Sequence, residues 1–173
     1  MDIFKAIKTR RSIRVFAKEE VSEEEIEEII DAARWAPSAG NIQPWIFIVV
    51  RDPKRKERLS KAALNQLFIE KAPVIIVVCA DQERSKKVYR RRGVNLYCIQ
   101  DTAAAIQNLL LAAHALRLGA CWVGAFDEEA VRHALNIPSG VRPVAIIPIG
   151  RPAVKPRAVF KRSLNEIVHY ESF

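Results

Sequence analysis

Three apolar runs of strand length, separated by segments of helical pattern, constrain the fold of this chain most strongly. The runs are Trp45–Val50, Val74–Cys79 and Pro143–Ile149. A continuous apolar run of this length, rich in β-branched residues, is typical of a strand that is buried on both faces. We therefore expect Trp45–Val50 and Val74–Cys79 to be buried central strands. Strands that alternate with helices indicate a layered α/β or α+β domain.

Capping residues mark where the helices begin. Asp2 is placed to cap an opening helix that the arginine run from residue 10 ends, and Ser22 and Glu25 have the spacing of a capping box. The same spacing returns in Ser163–Glu166. The pattern predicts helices over Ser22–Trp35, Pro53–Ala63 and Val94–Leu118, the last with Gly119 as its C-terminal cap, and from the Asp127 cap to Leu135.

The second half of the longest predicted helix, Ile106–Leu118, is apolar on nearly every side. Such a helix is buried all round, and a chain of this size has few residues left to cover it. We therefore interpret it as part of a subunit interface. His114 lies within it and is expected to be a hydrogen-bonded core residue rather than a catalyst.

Length and composition indicate a single domain over residues 1–173. The chain is 50% apolar, enough for a full core. It shows neither the pattern of a signal peptide nor an apolar run long enough to cross a bilayer, so we expect a cytoplasmic protein without a membrane partner. Cys79, Cys98 and Cys121 are odd in number and lie in apolar surroundings, which predicts small buried residues and no metal site.

The net charge of +8 raises the possibility of a nucleic-acid partner. The charges are segregated, with an acidic helix at residues 19–28 and basic runs at 54–58 and 86–92. No zinc-finger spacing, basic zipper or RNA-stacking aromatic pattern accompanies them, so the hypothesis depends on charge alone. Solvated helix faces are the simpler interpretation, and nucleic acid is not expected to bind.

Two polar runs carry the chemistry. Arg10-Arg11-Ser12-Ile13-Arg14 places three guanidinium groups and a hydroxyl within five residues, a composition suited to a phosphate. Pro37-Ser38-Ala39-Gly40-Asn41-Ile42-Gln43-Pro44-Trp45 is a polar turn that leads into a strand. Together with Lys71-Ala72-Pro73, the segment from Gly119 to Asp127, the segment from Pro143 to Pro152, and Lys161-Arg162 with Glu166, these runs resemble the nitroreductase family of FMN-dependent oxidoreductases.

This resemblance implies a fold, a cofactor and an activity. The fold is α+β with three α/β/α layers, a mixed sheet wrapped by helices, in an interlocked homodimer with two FMN molecules at the subunit interface. The implied activity is a ping-pong transfer of hydride from NAD(P)H through flavin N5 to a nitroaromatic, quinone or flavin-like acceptor. The flavin carries this chemistry, so we nominate no catalytic protein residue.

The resemblance also implies which residues bind FMN. Arg10 and Ser12, with Arg11 beside them, match the phosphate site, and Arg14 is expected at the pyrimidine edge of the ring. Val123 and Gly124 fall where a backbone N–H faces N5, and Asn65 is a weaker candidate for a ring contact. The remaining candidates are a segment that reaches the partner's flavin, Pro37, Ser38, Asn41 and Gln43, and two C-terminal phosphate ligands, Lys161 and Arg162, of which Arg162 is preferred.

Three questions stay open at this stage. The scaffold also suits another flavin reaction, such as dehydrogenation, dehalogenation or flavin fragmentation. A flavin-free, basic polyanion-binding protein is a further alternative. The strongly basic segment at residues 81–95 is hypothesised to border the substrate opening and to favour anionic substrates or the NADPH phosphate.

Overall fold

An antiparallel four-stranded sheet forms the middle layer of the protein. The computed structural model describes all residues, 1–173. The strands are β1 (Trp45–Val50), β2 (Val74–Asp81), β3 (Gly119–Ala120) and β4 (Val141–Gly150), in the spatial order β1-β2-β4-β3. All three strand pairs are antiparallel. A single parallel bridge, between Ser12 and Ala120, gives the sheet its mixed character.

Helices cover both faces of this sheet, which confirms the three α/β/α layers. Alternate residues of β2 point to opposite sides, so Ile76 belongs to one buried cluster and Val77 to the other. Helices α2 (Glu23–Arg34) and α6 (Cys98–Ala115) pack into the first cluster. Helices α3 (Pro53–Ala62), α4 (Phe68–Lys71) and α7 (Glu128–Leu135) pack into the second. Helix α1 (Ile3–Thr9) opens the chain.

The predicted N-terminal caps of three helices are confirmed. The side chain of Asp2 accepts a hydrogen bond from the backbone N–H of Lys5, and Ser22 and Glu25 form the full capping box. Asp127 caps α7 by accepting from the N–H of Ala130. These signals are reliable because a capping side chain only has to reach backbone groups within one turn.

Two predictions about strand and helix ends are wrong. Strand β1 lies at the edge of the sheet, pairs only with β2 and fully buries only Val50. The apolar run predicted a buried central strand, but such a run carries no information on strand order. Gly119 belongs to β3 instead of capping α6, which ends at Ala115. The sheet requires glycine there, since a Cβ on Gly119 would lie 2.7 Å from Cβ of Ile13.

The basic segment forms a helix whose course changes direction. Helix α5 (Gln82–Arg92) is interrupted at Arg90, and a π-helix over Gly93–Tyr97 leads into α6. Helix α6 buries one face in the protomer, whereas Gln107 and Ala115 are exposed. The helix is therefore not enclosed on all sides by its own chain, and its place at a subunit interface stays a prediction. None of the helices has the length and apolar character that crossing a membrane would require.

Candidate functional site

A cavity of about 870 Å³ lies between the N-terminal arginine run and the C-terminal tail. Arg10, Arg11, Ser12 and Arg14 line one side, and Lys161 of the tail lines the other. Five of the residues that the sequence singled out therefore meet at one place. Five further cavity residues of the tail were not among the candidates: Val154, Pro156, Arg157, Val159 and Phe160.

Backbone hydrogen bonds hold both walls of this cavity. On one side the N–H of Ile13 donates to the carbonyl of Ala120 over 3.0 Å, which fixes the arginine run against β3. On the other side the tail starts as an antiparallel partner of the same run: Ala17 N–H donates to Arg151 O over 2.9 Å, and Ala153 N–H donates to Val15 O over 3.0 Å. Tertiary pairing, not sequence proximity, brings Lys161 to Arg10.

Arg151, where the tail begins, forms an ion pair with helix α2. Its guanidinium lies 2.7 Å from a carboxylate oxygen of Glu25 and 2.9 Å from one of Glu19. Arg151 does not itself line the cavity. These ion pairs anchor the point from which the tail departs.

Four of the cations around the cavity lack protein partners. Lys8, Arg10, Arg157 and Lys161 line it without an ion pair or a side-chain hydrogen bond, and no carboxylate lines it. The guanidinium carbon of Arg14 lies 5.8 Å from the ring centroid of Phe68, a cation–π contact that leaves its N–H donors available. Like charges gathered in this way repel one another, and an anion with several oxygen acceptors relieves the repulsion.

Arg11 behaves differently from its neighbours. Its guanidinium donates to the carbonyl oxygens of Lys8 and Arg10, both over 2.8 Å. These carbonyls stand at the end of α1, where a helix leaves acceptors unpaired and where positive charge is stabilising. Arg11 therefore has a structural task in this chain, although it also lines the cavity.

The pKa values of two titratable groups near the arginine run, His114 and Cys121, are shifted. Burial, followed by the nearby charges of Arg10 and Arg11, lowers the pKa of His114. Its Nε2 lies 2.8 Å from the hydroxyl of Thr9, as expected for a hydrogen-bonded histidine. Burial raises the pKa of the Cys121 thiol, with Arg14 and Ser12 opposing the shift. Both groups are thus uncharged at neutral pH and leave the positive field of the arginines intact.

The turn over residues 37–43 lies outside this cavity and is held by α5 and α6. Gln43 N–H donates to Oγ of Ser38 over 2.9 Å, and the Gln43 amide donates to Asn41 Oδ1 over 3.2 Å. The carboxylate of Asp101 on α6 accepts from the backbone N–H of Ala39 over 3.1 Å. Because Pro37, like the others, does not line the cavity of its own chain, a role for this turn requires the site of a second copy.

The remaining candidates lie at other places. Asn65 has φ 58° and lines a separate surface cavity near α7. Val123 is buried and bridged to Ile146, while Gly124 is exposed with open space around its Cα. Arg162 does not line the cavity and donates to the backbone carbonyl of Glu166 over 2.6 Å. Lys161, the less preferred of the pair, is the one that lines the cavity.

The sequence held a partial signal for the residues that were missed. Arg157 belongs to a basic, proline-rich stretch of the tail, and Lys8 lies two residues before the arginine run. Nothing local indicates that the tail folds back over residues 12–17. Basic composition could nominate them, but only the pairing of Val15 with Ala153 selects them.

The architecture and the cavity define a class of protein: an α/β/α domain with a cation-lined cavity where the N-terminal arginine run meets the tail. Known proteins narrow this class. The model of the nitroreductase family matches residues 7–90 and 61–151. The chain belongs to the nitroreductase family.

Relatives of known sequence or structure share this fold over most of the chain. A Methanothermobacter thermautotrophicus protein, provisionally named NADH dehydrogenase/NAD(P)H nitroreductase, is 42% identical over 160 residues, 90% of this chain and 80% of its own. An NADH dehydrogenase of Thermus thermophilus is 34% identical, covering 97% and 95%. The structure of B. megaterium NfrA2 has a TM-score of 0.92 at 29% identity, covering 98% of this chain and 74% of its own.

Proposed function

We propose that this protein is an FMN-dependent NAD(P)H oxidoreductase whose acceptors are small molecules such as nitroaromatics, quinones or flavins. Relatives named NADH dehydrogenase and FMN reductase support the NAD(P)H-dependent oxidoreductase class and the FMN cofactor. The whole chain, residues 1–173, forms the FMN-binding unit in this proposal. A cytoplasmic location stays a prediction of the sequence.

The observation that carries the proposal is the set of unpaired cations around one hydroxyl. A phosphate monoester carries close to two negative charges and three acceptor oxygens. Arg10, Ser12 and Lys161 supply donors from two sides of the cavity, and no carboxylate opposes them. The residues present therefore fit the phosphate end of FMN.

Bound FMN would supply the redox chemistry, a ping-pong transfer of hydride from NAD(P)H to the acceptor. The protein contributes binding and electrostatics. Arg10 and Ser12 would hold the phosphate of FMN, and Arg14 would supply a fixed positive charge to its ring. Gly124 has no neighbour closer than 3.9 Å to an added Cβ, so its main chain is open to close approach.

We further propose that the active form is a homodimer. Helix α1 exposes Ile3, Phe4 and Ile7, each more than half accessible, and Trp35 after α2 is 73% exposed. Large exposed apolar patches are typical of interaction sites, protein–protein interfaces among them. A second copy would also give the turn over residues 37–43 a cavity to approach.

An anaerobic visible spectrum tests the function. Purified protein reconstituted with FMN should show a bound-flavin spectrum that bleaches on addition of NADH or NADPH and returns with menadione or a nitroaromatic. Bound flavin that no nicotinamide bleaches would refute the NAD(P)H assignment and favour another flavin reaction. Protein that binds no FMN, yet retains polyanion in a salt-sensitive way, would refute the cofactor assignment as well.

A further inference from the structure

The basic helix α5 reverses direction at its C-terminal end. In a straight helix residues eight apart are separated by about 12 Å. Gly93 instead packs on Ser85, since a Cβ on Gly93 would lie 2.5 Å from the Ser85 carbonyl oxygen. The reversal occurs at Arg90, whose φ of 49° and ψ of −132° are rare for a residue with a side chain. Such conformations persist where the surrounding structure enforces them, and they concentrate at functional sites.

This reversal turns a run of surface charge into a concave site. A cavity of about 580 Å³ is lined by Lys86, Lys87, Arg90, Arg91, Val94 and Asn95. On a straight helix Lys87, Arg91 and Asn95 would share one solvated face, because residues four apart are neighbours. In the structure Asn95 lines the same cavity as the four cations.

The cations of this second cavity are largely free to bind a ligand. Lys87, Arg90 and Arg91 take part in no ion pair, and Lys86 is 3.4 Å from an oxygen of Glu83, an exposed pair of little strength. No carboxylate lines the cavity. A doubly charged oxyanion would receive several charge-assisted hydrogen bonds there.

Helix α5 is attached to the turn over residues 37–43. The Arg84 guanidinium donates to the carbonyl oxygen of Ile42 over 2.5 Å. The Tyr89 hydroxyl lies so close to Gly40 that an added Cβ would be 2.6 Å from it. The basic cavity therefore belongs to the same rigid unit as the turn expected to approach a partner's flavin.

We propose that the α5 cavity binds the phosphate monoester of a substrate and so selects phosphorylated substrates over their unphosphorylated counterparts. The inference rests on the proposed function, because it assigns the substrate class of that site. Two substrates carry this chemistry: the nicotinamide donor, through the 2′-phosphate of NADPH, and a phosphorylated acceptor such as free FMN.

The test compares two double variants with the same change of charge. Lys87→Gln with Arg91→Gln removes two cations from the cavity and leaves the strained Arg90 in place. Lys54→Gln with Arg55→Gln removes two cations from the exposed face of α3 and serves as the matched control. With the holoenzyme and menadione, the first variant should lower kcat/KM for NADPH about tenfold through KM and leave NADH unchanged. The control should change neither.

A second arm separates the two sources of phosphate. With NADH as donor, FMN and riboflavin are compared as acceptors in the same variants. If the α5 variant loses kcat/KM for FMN but not for riboflavin, and its ratio of kcat/KM for NADPH to that for NADH is unchanged, the result supports the site and assigns it to the acceptor. If neither ratio changes relative to the α3 control, the proposal is overturned.

A binding measurement keeps this test independent of turnover. Calorimetry of the holoenzyme measures the affinity for two pairs of ligands. Adenosine 2′,5′-bisphosphate compared with 5′-AMP reports on the phosphate of the donor, and FMN compared with riboflavin reports on the phosphate of the acceptor. Phosphate-dependent binding that the α5 substitutions abolish supports the cavity even where NAD(P)H fails to bleach the flavin. The proposal is overturned in favour of a polyanion surface if neither ligand pair shows phosphate-dependent binding and the α5 substitutions instead abolish binding to a DNA oligonucleotide.

Discussion

Replacing Gly119 by alanine should displace the wall of the proposed cofactor cavity, because Gly119 packs against Ile13 of that wall. An added Cβ would lie 2.7 Å from Cβ and Cγ1 of Ile13 and 2.8 Å from its Cγ2. Ile13 stands between Ser12 and Arg14 in the cavity wall, and its N–H is bonded to Ala120. The substitution therefore pushes on the backbone that carries the proposed phosphate ligand and the proposed ring ligand.

The size of the effect follows from the contact. Ordinary contact begins at 3.4 Å, so Ile13 has to retreat by about 0.7 Å. Overpacking of this kind costs about 1–3 kcal/mol, which lowers the thermal midpoint of a domain of this size by roughly 3–10 °C. A displaced charge-assisted hydrogen bond to the phosphate should raise the Kd for FMN about tenfold or more.

Thermal unfolding at fixed protein and FMN concentration measures the first effect, and quenching of flavin fluorescence on titration measures the second. Gly124→Ala is the matched control for stability, because its Cβ meets nothing closer than Trp122 Nε1 at 3.9 Å. Both substitutions make the same change to the unfolded chain. A Gly119→Ala protein with the midpoint and the Kd of the parent would refute the claim that this contact positions the cavity wall.

Three further predictions concern the charged and buried groups. Arg10→Gln should raise the Kd for FMN about tenfold. Arg11→Gln should lower stability with little change in Kd, because the guanidinium of Arg11 is bonded to backbone carbonyls. Equal effects of the two substitutions on Kd in a fluorescence titration would contradict this prediction. Burial raises the pKa of Asp101, so the folded state keeps the proton to higher pH than the unfolded one. The free energy of unfolding should therefore fall as pH rises from the ordinary carboxyl pKa through the folded-state pKa, and Asp101→Asn should flatten that slope in urea titrations. Burial raises the pKa of the Cys79 thiol to about 12, so it should resist iodoacetamide at mildly alkaline pH until the protein unfolds; rapid labelling of the native protein would show that the strand opens.

The candidate site shows where sequence reasoning succeeds and where it stops. The arginine run was found because its residues are neighbours in the chain and share one wall of the cavity. Choosing Lys161 over Arg162 was not possible from sequence, because the choice depends on how the tail packs and on the bond from Arg162 to Glu166. The role of Arg11 was equally hidden, since its partners are the carbonyls left free at the end of α1.

The sequence by itself determined the local elements of this protein. The caps at Asp2, Ser22 and Asp127 and the positions of the apolar strands depend on residues within a few positions of one another, and these predictions are confirmed. Only the tertiary structure decided the strand order, the edge position of β1, the place of Gly119 and the meeting of the tail with the arginine run. These features depend on backbone pairing and packing between segments about 25 to 140 residues apart, such as Val50 with Ile75 and Ala153 with Val15, and local side-chain pattern does not encode such pairing. The reversal at Arg90 was not predicted either, although the residues that it brings together, Gly93 and Ser85, are only eight positions apart.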